Sequence, residues 1–273
     1  MIRRLARPLI PVAVAALLQG CVTTTTFPNV RGASVQQAAG VVTVPKGNGP
    51  FPAVIIVHGC GGVRQNATMW ADFLQENGYA SIVMDGFSPR GVSEICTQFD
   101  RVPTGQRIFD AYAALRYLGT RPEIDVERVA IMGFSNGAGV ALDAVLDSWV
   151  GSIPEVPRTL KASVALYPEC KGRDANRPLY RAPAMILVGE ADDWTLASSC
   201  ATLAKALDPK SQPLTLKTYP NAHHAFDDPS GPGYLSHVQN RNSPTGRGAT
   251  VRGDFTATAA AKRDVLQFLK ASL

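Results

Sequence analysis

The sequence has no internal repeat, no Cys and His spacing of the kind that binds zinc, and no G-x-x-x-x-G-K phosphate-binding loop. These absences exclude repeat proteins, zinc-binding modules and P-loop nucleotidases. Excess charge of one sign is also missing. The formal net charge is +5, and three of the 27 Lys and Arg residues (Arg3, Arg4 and Arg7) stand at the start of the chain. The rest is close to neutral, which argues against a nucleic-acid-binding surface.

Aromatic residues are few, at 7% of 273 residues, and charged residues make up 18%, whereas 45% are hydrophobic. This composition is typical of a globular protein and too apolar for a disordered chain. A chain of this length can bury a core without help from a metal ion.

Long hydrophobic runs are missing as well. The N-terminal apolar run, Leu9–Leu18, is about half as long as a bilayer-spanning helix. Because it follows a basic stretch, it predicts a secretory signal peptide over residues 1–20. The segment ending in Gly20 and Cys21 resembles the bacterial lipobox, in which the cysteine is lipidated, although Gln19 departs from that pattern. Cleavage without lipidation and a buried N-terminal helix are the alternatives.

The predicted anchor sets the expected location. Residues 21–39 are polar and Thr-rich, and we expect them to tether a domain formed by residues 40–273. Val22, rather than Asp, follows the cysteine, which in lipoproteins suggests sorting to the outer membrane. We expect an exported bacterial envelope protein that faces the periplasm and touches the membrane only through its N-terminal lipid, or a secreted protein if no lipid is attached.

Four further cysteines, Cys60, Cys96, Cys170 and Cys200, follow the predicted signal. An even number in an exported chain predicts two disulfides. The pairs Cys60–Cys96 and Cys170–Cys200 are favoured, because the members of each pair come from successive strand–helix units and can meet at one end of a sheet. Four buried free thiols are the alternative.

From residue 40 onward, apolar segments typical of buried strands alternate with amphipathic helices. The predicted strands are Val41–Val44, Ala53–Val57, Ala80–Met84, Val129–Met132, Ala162–Leu166, Ala184–Val188 and Leu214–Thr218. The predicted helices are 67–77, Gly105–Leu118, Gly137–Leu146, Ser198–Leu207 and Ala257–Lys270. This alternation predicts one α/β domain with a mainly parallel sheet and helices on both faces. Residues 227–254 are expected to be irregular, forming either a functional loop or a surface excursion.

The residues 129–139, VAIMGFSNGAG, place the motif G-x-S-x-G between a predicted strand and a predicted helix. A serine in this setting occupies a sharp turn that projects its hydroxyl from the sheet, and the flanking glycines avoid a collision. Ser135 is therefore the candidate nucleophile, and a simple Gly/Ser turn is the alternative. The backbone N–H of Asn136 can face a substrate oxygen.

A serine nucleophile needs a base and an acid. The tandem His223–His224 follows the last predicted strand of the sheet, so one of the two should reach Ser135. Asp192 and Asp193 follow another strand and are candidates for the acid. Of the remaining histidines, His58 is expected to order its own loop and His237 to be solvated.

The segment VHGCGGV at 57–63 follows a buried strand. Its glycines let the backbone turn amides inward, as in HGGG-type oxyanion loops. The N–H of Cys60 is the candidate donor, with the N–H of Gly61 next. A disulfide at Cys60 would hold this loop in place.

These motifs together resemble the dienelactone hydrolase family of α/β-hydrolases over about residues 40–273. The resemblance rests on HGCGG at 58–62, MDGFSPRG at 84–91, GFSNGAG at 133–139, GEADDWT at 189–195 and AHHAF at 222–226. It implies an α/β-hydrolase fold, His224 as the base and Asp192 as the acid. It also suggests that Arg90 binds a substrate carboxylate, with a salt bridge that orders its own turn as the alternative.

The chain departs from that family at two points. Ser135 stands where dienelactone-type members have a cysteine, and HGCGG has no Glu to engage a thiol. We therefore expect a serine esterase or lactonase that acts on a small ester or lactone and uses neither a metal nor an organic cofactor. A serine peptidase or acyltransferase, a polymer-directed esterase, and an inactive ligand-binding envelope lipoprotein are the alternatives.

Overall fold

The computed structural model describes residues 24–28, 37–153 and 159–273. The predicted signal peptide and Cys21 lie outside the described residues. The strands are β1 (Thr24–Pro28), β2 (Gln37–Thr43), β3 (Phe51–Val57), β4 (Ala80–Asp85), β5 (Ile124–Phe134), β6 (Ala162–Leu166), β7 (Ala184–Gly189), β8 (Leu214–Tyr219), β9 (Gly233–Gln239) and β10 (Arg247–Val251). The helices are α1 (Gln65–Glu76), α2 (Thr104–Leu118), α3 (Asn136–Asp143), α4 (Asp147–Val150), α5 (Ala197–Lys205) and α6 (Phe255–Ser272).

Eight strands form one sheet in the order β1-β2-β4-β3-β5-β6-β7-β8. The pairs from β4 to β8 are parallel, and β2 runs antiparallel to both β1 and β4. Parallel strands require crossover connections, which the helices supply. The predicted single α/β domain with a mainly parallel sheet is confirmed.

The central strands are covered on both faces. All residues of β6 and β7 are buried, as is the second half of β5. Because successive side chains of a strand point to opposite faces, complete burial means that helices cover both faces. On one side α2 and α3 contact each other, and elsewhere Lys262 of α6 lies 4.7 Å from the ring of Phe73 in α1. Because neighbouring strands from β4 to β8 are parallel, their carboxyl ends lie at one common edge of the sheet.

Part of the predicted tether belongs to the sheet. Strand β1 extends the sheet at its edge, and β2 begins at Gln37, inside the segment 21–39 that we expected to be a linker. The run of threonines is polar, but threonine is β-branched and favours strands. Phe27 adds an anchor, since it is buried and stacks on Tyr117 of α2 at 5.2 Å.

Residues 227–254, expected to be irregular, contain an antiparallel hairpin of β9 and β10. Its strands mix apolar residues with Gly, Ser, His, Gln, Arg and Thr without a regular alternation, so the pattern was too weak to indicate strands. The hairpin lies outside the main sheet, and it forms a wall of the candidate site described below.

Both favoured disulfides, Cys60–Cys96 and Cys170–Cys200, are present in the structure, each with a Cα–Cα distance of 4.9 Å. Disulfides persist in oxidising compartments, so they indicate an exported protein. Within the described ranges, no helix has both the length and the apolar character needed to cross a bilayer.

We expect replacement of Cys170 and Cys200 by Ala to lower the free energy of unfolding by about 2–4 kcal/mol, because the open chain gains loop entropy when it unfolds. Guanidinium denaturation measures this change. The matched pair Cys60→Ala and Cys96→Ala opens a loop of similar separation, 36 against 30 residues, and should cost a similar amount. An unchanged midpoint in both variants would contradict the prediction.

Candidate active site

Ser135 lies in the sharp turn between the end of β5 and the start of α3. Its backbone has φ 52° and ψ −116°, a conformation that residues other than glycine rarely adopt. Two glycines make the turn sterically feasible. A Cβ at Gly133 would lie 2.1 Å from the carbonyl oxygen of Gly137, and a Cβ at Gly137 would lie 2.3 Å from that of His58. The turn therefore presses the start of α3 against the segment that follows β3.

His224 lies in the loop after β8, and its Nε2 is 2.9 Å from Ser135 Oγ. The ring is buried, and its backbone is fixed by β10 through a bridge with Val251 and a hydrogen bond from the N–H of Arg252. His223 is placed differently. Its Nδ1 is buried without a hydrogen-bond partner among the described residues, and its side chain does not line the cavity beside Ser135.

Asp192 follows β7, and its carboxylate contacts the other ring nitrogen of His224. Its Oδ2 lies 2.9 Å from His224 Nδ1, and its Oδ1 accepts hydrogen bonds from the backbone N–H groups of Trp194 and Thr195 at 2.8 Å each. A carboxylate only accepts, so Nδ1 carries the proton and Nε2 is free to accept from the hydroxyl of Ser135. The structure thus brings together the three side chains that the sequence proposed.

Thr195 is a site residue that the sequence analysis missed. Its Oγ1 lies 2.9 Å from Asp192 Oδ2, 3.1 Å from His224 Nδ1 and 3.0 Å from the carbonyl oxygen of Tyr167. The ring of Tyr167 also packs edge-on against the imidazole, with centroids 4.7 Å apart. The turn after β7 and the end of β6 therefore both restrict the histidine ring. Because Asp side chains commonly accept from the backbone N–H two residues on, Asp192 could have been expected to order the turn that carries Thr195.

Asp193, the alternative acid, faces the hairpin instead. Its carboxylate accepts hydrogen bonds from the N–H and Oγ1 of Thr250 at 2.8 Å each, and its carbonyl oxygen accepts one from Asn240 Nδ2. Trp194 donates from its indole Nε1 to the carbonyl oxygen of Gln239 at 2.8 Å. The hairpin is therefore attached to the same turn that carries Asp192.

A small apolar cavity of about 100 Å³ lies beside Ser135 and His224. The hairpin and its flanks supply one wall through Pro232, Leu235 and Val251. A second cavity, of about 200 Å³, lies beside Ser135 and Asn136 and has a more polar lining. That lining comes from Thr104, Glu169, Arg173, Gln239 and Arg241 together with the rings of Phe99 and Trp194. Trp194 and Ser135 line both cavities.

The segment after β3 runs alongside the serine. A Cβ added at Gly59 would lie 3.5 Å from Ser135 Cβ, and Cys60 and Gly61 line the apolar cavity. The disulfide to Cys96 and a hydrogen bond from the N–H of Ile95 to the carbonyl oxygen of Cys60, at 2.8 Å, fix this segment. Its backbone amides and that of Asn136 therefore flank Ser135 from two sides.

His58 is engaged at both ring nitrogens. Nδ1 lies 2.7 Å from the carbonyl oxygen of Gly59, so it is the donor, and Nε2 accepts from the N–H of Gly86 at 3.2 Å. Burial, followed by the nearby charge of Arg107, lowers the pKa of His58 to about 3. A neutral ring with no free nitrogen orders its loop and is not a base. His237 is exposed on β9.

For Arg90 the sequence offered two roles, binding of a substrate carboxylate and a salt bridge that orders its own turn, and the structure contains the salt bridge. Its guanidinium forms an ion pair with Asp110 at 2.8 Å and donates to the carbonyl oxygen of Gly86 at 2.6 Å. Its side chain is buried in this pair and lines neither cavity beside Ser135. It therefore links its own turn to α2.

Among the described residues, no group of three or more His, Cys, Asp or Glu side chains is arranged to hold a metal ion.

Comparison with known proteins shows to which family and to which proteins this chain is related. The model of the dienelactone hydrolase family matches residues 38–273. A Bradyrhizobium protein described as a probable 2-oxo-3-(5-oxofuran-2-ylidene)propanoate lactonase is 25% identical over 200 residues, which are 67% of this chain and 77% of that protein. The chain covers only 45% of two putative phosphoribosyl transferases of Mycobacterium tuberculosis, at 28% identity. Esterase EstD of Thermotoga maritima is 32% identical over 38% of this chain and 26% of its own length.

Solved structures agree on the fold. A putative dienelactone hydrolase from Klebsiella pneumoniae has a TM-score of 0.67 at 20% identity, covering 92% of this chain and 99% of its own. A dienelactone hydrolase-like promiscuous phosphotriesterase, P91, from metagenomic libraries has a TM-score of 0.68 at 21% identity, covering 93% and 99%. Identities this low support the α/β-hydrolase fold and no more. On the family match over residues 38–273, this chain belongs to the dienelactone hydrolase family.

Proposed function

We propose that this protein is a serine hydrolase that cleaves carboxylic esters or lactones through an acyl-enzyme. The observation that best supports the proposal is the chain of two 2.9 Å contacts from Ser135 Oγ through the imidazole of His224 to Asp192 Oδ2. Relatives described as an esterase and a lactonase point to the same bond type.

The first step is attack on the ester carbonyl. His224 Nε2 accepts the hydroxyl proton as Ser135 Oγ bonds to the carbonyl carbon, and the resulting imidazolium is stabilised by Asp192. Thr195 keeps the ring and the carboxylate in register through its contacts to both. The imidazolium then gives the proton to the leaving oxygen, and the acyl group remains on the serine.

The negative charge on the former carbonyl oxygen needs donors that are already in place. The N–H groups of Cys60 and Asn136 flank the serine and supply them in our proposal. One such donor is commonly worth about 2.7–4 kcal/mol of barrier. The start of α3 points toward the same position, and its dipole favours negative charge there.

The second step is hydrolysis of the acyl-enzyme. Water takes the place of the leaving group, His224 accepts its proton, and the acid is released as Ser135 recovers its hydroxyl. For a lactone the leaving oxygen remains covalently part of the acyl group, and this step releases both ends together as one hydroxy acid, so the whole ring-opened acyl group must fit beside Ser135.

Residues 1–23 lie outside the described part of the chain, and for them we propose the arrangement that the sequence indicates. Cys21 would carry the lipid after removal of residues 1–20, and β1, which starts at Thr24, would then hold the domain close to the membrane surface.

We expect Ser135→Ala and His224→Ala each to lower kcat for p-nitrophenyl acetate by at least about 10³-fold, because nucleophile and base act as a unit. His223→Ala should keep most of the activity, since its ring contacts neither Ser135 nor the cavity. A fluorophosphonate probe should label the wild-type chain and not Ser135→Ala. Absence of labelling in the wild type would end the proposal, and a loss caused by His223→Ala alone would reassign the base.

We expect the small apolar cavity to limit the size of one substituent of the substrate. Its volume of about 100 Å³ is below the roughly 150 Å³ in which benzene binds. We expect kcat/KM to fall at least about tenfold beyond four carbons in one of two ester series, either p-nitrophenyl esters of longer acids or longer alkyl esters of one acid. Leu235→Ala should flatten that decline. Flat profiles in both series for the wild type would refute the size limit.

Reduction of one of the two disulfides, Cys60–Cys96, should lower the activity. Cys60–Cys96 lines the cavity and holds the proposed oxyanion segment, whereas Cys170 and Cys200 line neither cavity beside Ser135. We expect dithiothreitol to lower the kcat of the wild type and of the variant with Cys170→Ala and Cys200→Ala. The effect should appear at reductant concentrations that leave the protein folded. The variant with Cys60→Ala and Cys96→Ala should start low and not respond. Equal turnover with and without reductant in the wild type would count against this role.

A further inference from the structure

A buried arginine lies directly behind the two backbone segments that flank Ser135. Arg107 is in the first turn of α2 and is 2% exposed. Burying a charged guanidinium costs free energy unless its N–H groups are hydrogen-bonded and its charge is compensated. The partners that satisfy them therefore show what the side chain holds in place.

Two N–H groups of the guanidinium reach the two proposed donor segments. Nη2 donates to the carbonyl oxygen of His58 at 2.5 Å, immediately before the turn through Gly59 to Cys60. Nη1 donates to the side-chain Oδ1 of Asn136, whose own backbone N–H is the second proposed donor. One rigid, planar group thus spans both halves of the proposed oxyanion hole.

The surroundings keep this guanidinium charged and in position. Its carbon lies 5.0 Å from the centroid of the Phe87 ring, a cation–π contact. Burial lowers the pKa of Arg107, Asp110 one turn further along α2 raises it, and the charge of Arg90 lowers it, which leaves it at about 9. The group is therefore a cation at neutral pH. The remaining contact, 3.3 Å from Nη2 to His58 Nδ1, is not a hydrogen bond, because that nitrogen carries the proton donated to Gly59.

We infer that Arg107 is a positioning residue of the oxyanion hole: it fixes the amides of Cys60 and Asn136 relative to each other and holds a positive charge behind them. The inference rests on the proposed function, since it concerns the same site. Without the bridge, the His58–Cys60 segment and the Asn136 side chain lose their common anchor. The amides then reorganise as the oxyanion forms, which lowers kcat more than it affects substrate binding.

The test uses Arg107→Met, Arg107→Lys and Asn136→Ala in the full chain. Asn136→Ala removes only the side-chain anchor and keeps the backbone N–H, and it lies at a half-buried position where folding is less at risk. For p-nitrophenyl acetate we expect kcat to fall about 10- to 100-fold in each variant, with KM within about threefold of wild type. Arg107→Lys keeps the charge but cannot span both acceptors, so we expect it to recover only part of the loss.

An inhibitor that forms the oxyanion gives a readout that a merely structural role would not change. When Ser135 Oγ adds to the carbonyl carbon of an aryl trifluoromethyl ketone, its proton passes to His224 and the carbonyl oxygen becomes the oxyanion. We expect the Ki of this ketone to rise by the same factor as kcat falls in each variant. The double variant of Arg107→Met and Asn136→Ala should be no worse than the poorer single one, because both changes break the same bridge.

Two controls separate the possible failures. Arg121→Met removes an arginine whose hydrogen bonds are to Glu123 and Tyr117, and it should keep wild-type kcat and Ki. Thermal melts of every variant report the folded fraction, to which kcat is normalised. If Ser135→Ala is inactive while the Arg107 and Asn136 variants keep wild-type kcat and Ki per folded molecule, the inference is wrong and the proposed function stands. If Ser135→Ala keeps its activity, both the proposed function and the inference that rests on it are wrong.

Discussion

The hydrogen bond between Ser135 Oγ and His224 Nε2 joins residues 89 positions apart in the chain, and the rest of the site is organised around it. A hydroxyl and a neutral imidazole meet at hydrogen-bonding distance only if the serine backbone is held in its uncommon conformation and the ring is held at one angle. The first condition depends on two glycines at the end of β5 and the start of α3. The second depends on Asp192, Thr195, Tyr167 and the bridge to β10. Both sets of contacts come from the carboxyl edge of the parallel sheet.

Charge around the site is distributed so that each ionisable group has one function. His58 is neutral and bonded at both nitrogens, so it cannot compete with His224 for a proton. Asp193 is occupied by the hairpin, which leaves Asp192 to orient the ring. Arg90 and Asp110 neutralise one another beside Arg107, whose charge remains directed at the segments next to the serine. Residues of the same type thus have different roles because their hydrogen-bond partners differ, although they lie close together.

Most of this arrangement could be predicted from the sequence where local chemistry decides it. The G-x-S-x-G turn, the order of strands and helices, and the two disulfides each follow from residue types at fixed spacings. The choice of His224 over His223 and of Asp192 over Asp193 needed the resemblance to a family, because adjacent identical residues differ only in direction. The hairpin and strand β1 were missed, since polar residues interrupt any apolar alternation in them and their burial depends on partners far along the chain. The partners of Arg90 and Arg107 were not predictable for the same reason: an arginine can reach many acceptors, and only the fold selects among them.

Trp194 has a consequence for how substrate preference could diverge in this family. Its indole is held by the carbonyl oxygen of Gln239 and tilts over the imidazole, with ring centroids 4.8 Å apart, and the residue lines both cavities. The two cavities thus have Trp194 and Ser135 in common. A smaller residue in place of Trp194 would change the lining of both cavities at once, so tolerance for bulk on the two sides of the bond cleaved would evolve together rather than separately.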